Sequence, residues 1–157
     1  MREVQIGWPP EAARPTWYAD SLAPRADSLI RGLVPLLAAL SAASGGVHLA
    51  VVQEHFSEYR LFGIFFAVLA VAQLAWACVA PLKSRGSLYA LAAIGNLLVI
   101  LLWIWSRTAG LPIGPEPNHP EPVGFADATC SAMEGLLVVG SLVMLIARRT
   151  LRPAFTD

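Results

Sequence analysis

Charge is scarce in this sequence. Only 14% of its 157 residues are charged, and the 11 basic and 11 acidic side chains cancel. A soluble domain carries about 25% charge, and a nucleic-acid binder needs a basic field. The first shortage argues against a water-soluble globule and the second against nucleic acid as a partner. Cysteine is as sparse: Cys78 and Cys130 are the only two. A disulfide scaffold is excluded, and no CxxC metal or redox spacing exists. Both cysteines read as small apolar fillers, set near opposite faces of a membrane. There is no Gly-rich phosphate loop, no zinc-site motif and no Ser-His-Asp order, so an enzyme is the least favoured reading.

Apolar sequence is what the chain has in abundance, at 56% of residues. Four runs, at 33–52, 61–80, 88–106 and 125–147, are each near 20 residues. At ~1.5 Å per residue each crosses the ~30 Å hydrocarbon core of a bilayer. They are Leu- and Ala-rich, lack period-2 alternation and are too long for barrel strands, so helices are expected. Four such runs leave too little polar sequence to coat a soluble core. The expected fold is all-α: a bundle of four transmembrane helices over 32–148, an interfacial or cytoplasmic tail at 1–31, and a cytoplasmic tail at 149–157. Pro35 is expected in the first turn of the first helix, and Pro81 at the close of the second. The first run resembles a signal peptide in part, but its long, acid-containing lead and its continuation to Val52 favour a retained span.

Basic residues set the orientation. Arg25 and Arg31, the loop with Lys83 and Arg85, and Arg148, Arg149 and Arg152 mark one side. The other two loops hold only Arg60 and Arg107 against Glu54, Glu58, Glu116, Glu121 and Asp127. Both termini are therefore expected in the cytoplasm, and the first and third loops outside. In the tail, Trp8, Trp17, Tyr18, Leu22, Leu29 and Ile30 lie among charges. An aromatic anchor is favoured there over a surface-lying amphipathic helix at 21–30. The third loop, 111–123, contains five prolines, which forbid helix and stiffen the chain. It reads either as a semi-rigid cap on the outer end or as a passive connector.

Polar residues within the spans recur at spacings of three, four and seven, which keeps them on one helical face. The stripes are Ser41, Ser44, His48 and His55; Tyr89, Asn96, Trp103 and Arg107; and Asp127, Ser131, Glu134 and Ser141. On the second helix Gln73 shares a face with Phe66, Leu69 and Trp76. These faces are expected to converge, because an ionisable group in hydrocarbon needs a partner. Counted from the ends of the runs, His48 and Glu134 lie roughly 6 and 14 Å below the outer surface, at ~1.5 Å per residue. All three histidines belong to the outer half. His48, His55, His119 and Glu134 are the candidate metal ligands; Gln73, Asn96 and Arg107 join His48 and Glu134 as candidate cofactor contacts. Arg107, at the outer mouth beside the acidic loops, is a candidate gate or anion contact, and Asp127 is a further candidate site residue. Imidazole and carboxylate suit a transition metal or a haem iron. His48 and His55 are two turns apart, about 10 Å, too far to share one ion. A buried hydrogen bond from Glu134 that holds the bundle in register is the structural alternative.

Two stretches of the third loop are distinctive: Ser106-Arg107-Thr108-Ala109-Gly110-Leu111-Pro112-Ile113-Gly114-Pro115, and Pro120-Glu121-Pro122-Val123-Gly124-Phe125-Ala126-Asp127 continuing to Glu134. With His48-Leu49-Ala50-Val51-Val52-Gln53-Glu54-His55-Phe56, they resemble a group of small four-helix bacterial membrane proteins of actinobacterial type. The resemblance spans the first helix through the fourth but not the tail. It implies the fold and a bacterial inner-membrane location, and it implies no activity. Three functions fit the residues: an outward-facing polar site for a metal, haem or partner subunit; an accessory subunit of a larger membrane complex or a homo-oligomer; and a small oligomeric transporter or proton path through Glu134, Asn96 and Gln73.

Overall fold

The computed structural model describes residues 16–151, with side chains for 28 and 30–149. Four helices follow one another: α1 (Thr16–Glu58), α2 (Arg60–Leu82), α3 (Gly86–Thr108) and α4 (Phe125–Leu151). Each contains a segment long and apolar enough to cross a membrane: Ile30–Glu58, Arg60–Leu82, Gly86–Thr108 and Phe125–Arg149. Large apolar residues more than half exposed lie on all four helices, among them Leu49, Val68, Leu98 and Val139. A soluble monomer rarely exposes apolar patches beyond a few hundred Å². These features mark a multi-pass membrane protein, with lipid as the solvent of its outer faces.

Two expectations about α1 are corrected. The helix does not begin near residue 33; it is continuous from Thr16, so Pro35 sits in its interior rather than its first turn. Proline there supplies no N–H to the carbonyl of Arg31, yet the surrounding turns carry the helix through. Nor does α1 end at 52. Gln53 to Glu58 remain helical although polar, and a single extended residue, Tyr59, connects to α2. The stretch 21–30, expected as a separate surface helix if helical at all, is instead part of this continuous α1, while the side chains of the expected anchors Trp8, Trp17 and Tyr18 lie outside those described.

The helices are arranged around the bundle as α2, α1, α4, α3. α1 packs along both α2 and α4, and α3 packs along α4, while α2 and α3 scarcely touch. Small residues permit the closest of these approaches. At Gly45 an added Cβ would come within 3.2 Å of the Ala70 carbonyl and of Gln73 Cβ on α2. Leu37, Trp76, Ala80, Tyr89, Ala92, Leu137 and Met144 form the apolar core toward the Lys83–Arg85 end. There Trp76 Nε1 donates to the Leu88 carbonyl at 2.8 Å and Arg148 Nη1 to Ser84 Oγ at 2.7 Å. The first joins α2 to α3 and the second ties α4 to the loop between them.

At the other end, residues 109–124 contain no helix. Gly110 starts the loop at φ +73°, where a Cβ would strike the backbone of His119. The loop folds back on itself: Asn118 N–H donates to the Leu111 carbonyl at 2.7 Å, and Glu121 N–H to the Ser106 carbonyl at 3.1 Å. Leu111, Pro112 and Ile113 line a cavity at this end of the bundle.

Candidate functional site

The polar stripes are all buried or half-buried. Ser41, Ser44, His48, Gln73, Asn96, Glu134 and Ser141 have at most 7% of their surface exposed. Ser44, His48 and Gln73 meet at Glu134, the most buried carboxyl group among the described residues. Its Oε1 accepts from His48 Nε2 at 2.9 Å, Gln73 Nε2 at 3.0 Å and Ser44 Oγ at 3.4 Å. Gln73 Nε2 also donates to Asn96 Oδ1 at 3.1 Å, and Asn96 Nδ2 to the Ala92 carbonyl at 2.8 Å. One carboxylate oxygen thus ties α1, α2 and α4 directly, and α3 through Gln73.

Helix length explains how His48 and Glu134 meet. His48 is ten residues before the end of α1, and Glu134 is nine after the start of α4. At ~1.5 Å per residue both lie about 14–15 Å from that end of the bundle. The 2.9 Å contact puts both at one depth, whereas counting from the ends of the apolar runs sets them about 8 Å apart.

Cys130 is a member of this cluster, which corrects its reading as a passive filler. Its Sγ lies 3.1 Å from Ser44 Oγ and 3.5 Å from His48 Nε2, and the residue is 4% exposed. The signal was available, since Cys130 precedes Glu134 by four residues and so shares its face. Among the described residues, His48, Cys130 and Glu134 are the one group of three whose potential ligand atoms lie within 4.8 Å of one another. Cys78, in contrast, is exposed on α2, and both thiols are free.

His55 and His119 are not brought to that group. His55 donates Nδ1–H to the Val51 carbonyl at 2.8 Å and packs against Phe66, the rings tilted by 43° with centroids 4.0 Å apart. His119 is exposed on the loop. Arg107 pairs with Glu121 and, at 2.6 Å, with Asp127, and also donates to Ser106 Oγ at 3.0 Å. Its anions come from its own chain, so an external anion would have to displace them. This ion-paired knot lashes the loop to the start of α4.

Between the knot and the cluster lies a cavity of about 350 Å³. Val47, Val51, Phe62, Phe66, Leu102 and Trp103 make its walls, and His48, Cys130 and Glu134 are among its lining. It lies where α2 and α3 stand apart, on the loop side of the Gln73–Asn96 bond. The site therefore offers an imidazole, a thiol and a carboxyl at the edge of an apolar chamber. Such a set suits a borderline divalent transition metal and not calcium or magnesium, which favour all-oxygen shells. Compared with known proteins, the chain matches no family model, no curated protein and no solved structure.

Proposed function

We propose that this is a non-catalytic protein of the bacterial cytoplasmic membrane that holds a divalent transition-metal ion of the zinc class. The ligands are His48 Nε2, Cys130 Sγ and a Glu134 carboxylate oxygen. Both termini are cytoplasmic, which the clustering of Lys83, Arg85, Arg148 and Arg149 at one end of the bundle supports. The site then opens outward. The carrying observation is the convergence of three buried ligand-bearing side chains from two helices within 4.8 Å.

A tetrahedral ion with arms of ~2.0–2.3 Å holds its ligands roughly 3.3–3.7 Å apart. Sγ and Nε2 already stand 3.5 Å apart, and the 2.9 Å between Nε2 and Oε1 needs to widen by about half an ångström. The ion takes the place of the proton that His48 and Glu134 share, and binding releases protons from the thiol as well. Gln73 and Ser44 then act on the carboxylate from behind, as supporting groups do around metal ligands. Three protein ligands leave a fourth position for water or a ligand from the cavity. Haem is disfavoured, because His48 Nε2 faces Glu134 and Cys130 with no space for a macrocycle between them.

Elemental analysis of protein purified in mild detergent without chelator tests this reading. About one zinc-class ion per chain is expected, lost in His48→Ala and Cys130→Ala and kept in His119→Ala. Metal-free wild-type protein that takes up no ion on addition overturns it.

A second reading is that the cluster is a structural keystone without metal. The three donors on Glu134 Oε1 favour it, since they satisfy that oxygen with protein groups alone. Under this reading chelation leaves the stability of the bundle unchanged.

A further inference from the structure

The cavity above the cluster has an opening and an acceptor that the metal reading leaves unused. Leu61, Phe65 and Trp105 line it, yet they are 53%, 37% and 49% exposed. Residues that are both lining and exposed mark a mouth. These three are apolar and lie on α2 and α3, at the end where those helices stand apart. In a bilayer that mouth faces acyl chains. Pro112, Ile113 and Glu121 also line the cavity and are exposed, so it opens beside the loop as well, where Arg107 is held by Glu121 and Asp127.

His55 supplies the acceptor. It lines the cavity, and its Nδ1 bonds a backbone carbonyl, which can only accept. Nδ1 therefore carries the proton, and in the neutral ring Nε2 is a lone-pair acceptor. Nε2 has no hydrogen-bond partner among the described residues. An unused acceptor at an apolar, partly aromatic chamber favours an O–H donor on an otherwise apolar molecule. The volume of 350 Å³, at ~30 Å³ per water-sized unit, takes roughly a dozen non-hydrogen atoms, or one substituted aromatic ring.

We propose that the cavity binds a neutral, lipid-soluble molecule bearing a hydroxyl group, of the phenol class. It enters from the membrane between α2 and α3, donates its O–H to His55 Nε2 and packs its ring beside Phe66. This binding does not require the metal ion, so it can succeed or fail independently of the metal reading.

The full chain in phosphatidylcholine nanodiscs is titrated with durenol (a tetramethylphenol) and with durene (the same hydrocarbon without the hydroxyl), against protein-free discs. Saturable binding at one site per chain is expected for durenol. A single net hydrogen bond makes durenol roughly two- to tenfold tighter than durene. His55→Phe erases that preference while keeping an aromatic ring on Phe66, and Val51→Phe, which fills the chamber, reduces the binding of both. Durenol methyl ether, which has no donor, keeps the test independent of whether the variants fold: it binds like durene. No saturable durenol binding above empty discs overturns the proposal. So does a methyl ether as tight as durenol, or a preference that survives in His55→Phe.

Discussion

Replacing Glu134 by alanine removes the acceptor that three buried donors share, and the size of the loss can be worked from the geometry. Ser44 Oγ, His48 Nε2 and Gln73 Nε2 all donate to Oε1, at 3.4, 2.9 and 3.0 Å. Side-chain hydrogen bonds inside membrane bundles average ~0.6 kcal/mol and reach ~1.7 kcal/mol. Three of them bound the loss between about 2 and 5 kcal/mol. Because the donors lie on α1 and α2 and the acceptor on α4, the effect is global rather than local fraying. Reversible unfolding in mixed micelles with increasing SDS, followed by far-UV circular dichroism, measures it. Leu136→Ala, two residues away and 58% exposed, serves as the control and is expected to shift stability by less than about 0.5 kcal/mol. A cycle with Gln73→Ala isolates one bond: the double variant should lose less than the sum of the singles, by about 0.6–1.7 kcal/mol. A Glu134→Ala protein as stable as its parent, or strictly additive losses with Gln73→Ala, would refute the claim that this carboxylate unites the helices.

Three further outcomes follow from other parts of the molecule. Gly45→Val forces α1 away from Ala70 and Gln73, so it should destabilise the bundle by about 1–3 kcal/mol in the same SDS titration; an unchanged midpoint contradicts the close approach. Arg107→Ala frees the loop from Glu121 and Asp127. These partners are 51% and 37% exposed, so overall stability should fall by no more than about 1 kcal/mol, while hydrogen exchange at 111–123 should rise clearly; unchanged exchange contradicts the lashing role. With Cys78 and Cys130 replaced, a single cysteine at Asn118 should react with an impermeant maleimide in intact cells, and one at Ser84 only after lysis. The reverse pattern inverts the assigned orientation.

Much of the fold is legible because lipid makes the code simple. Apolar runs of span length must be helices, and polar residues must turn to one another. The stripes of Ser41, Ser44 and His48, of Gln73, of Asn96, and of Glu134 could be read from spacings of three, four and seven alone. Helix ends were less legible. Hydropathy falls at Val52, but nothing in Gln53 to Glu58 breaks a helix, and α1 stops only where Tyr59 is extended. That difference of six residues accounts for most of the depth mismatch expected between His48 and Glu134, which the structure closes. The continuity of α1 through Pro35 was hidden for a related reason, since proline marks a helix start by habit and an interior position only by context. Cys130 was hidden by its chemistry: free cysteine packs like a small hydrophobe until a polar neighbour is identified. His119 could not be placed, because side-chain direction on a proline-rich loop depends on turns such as those at Gly110 and Asn118, both at positive φ.

The claim at the centre is that His48, Cys130 and Glu134 form one metal-binding unit within the membrane. Cobalt(II) tests it most directly, because a thiolate ligand gives cobalt a charge-transfer absorption that imidazole and carboxylate do not. Titrating metal-depleted protein with cobalt should raise that band to saturation at one ion per chain. Cys130→Ser should abolish it, His48→Ala should weaken the binding, and Cys78→Ser should leave both intact. A cobalt titration with no such band in the wild-type protein, or a band that persists without Cys130, would contradict the account.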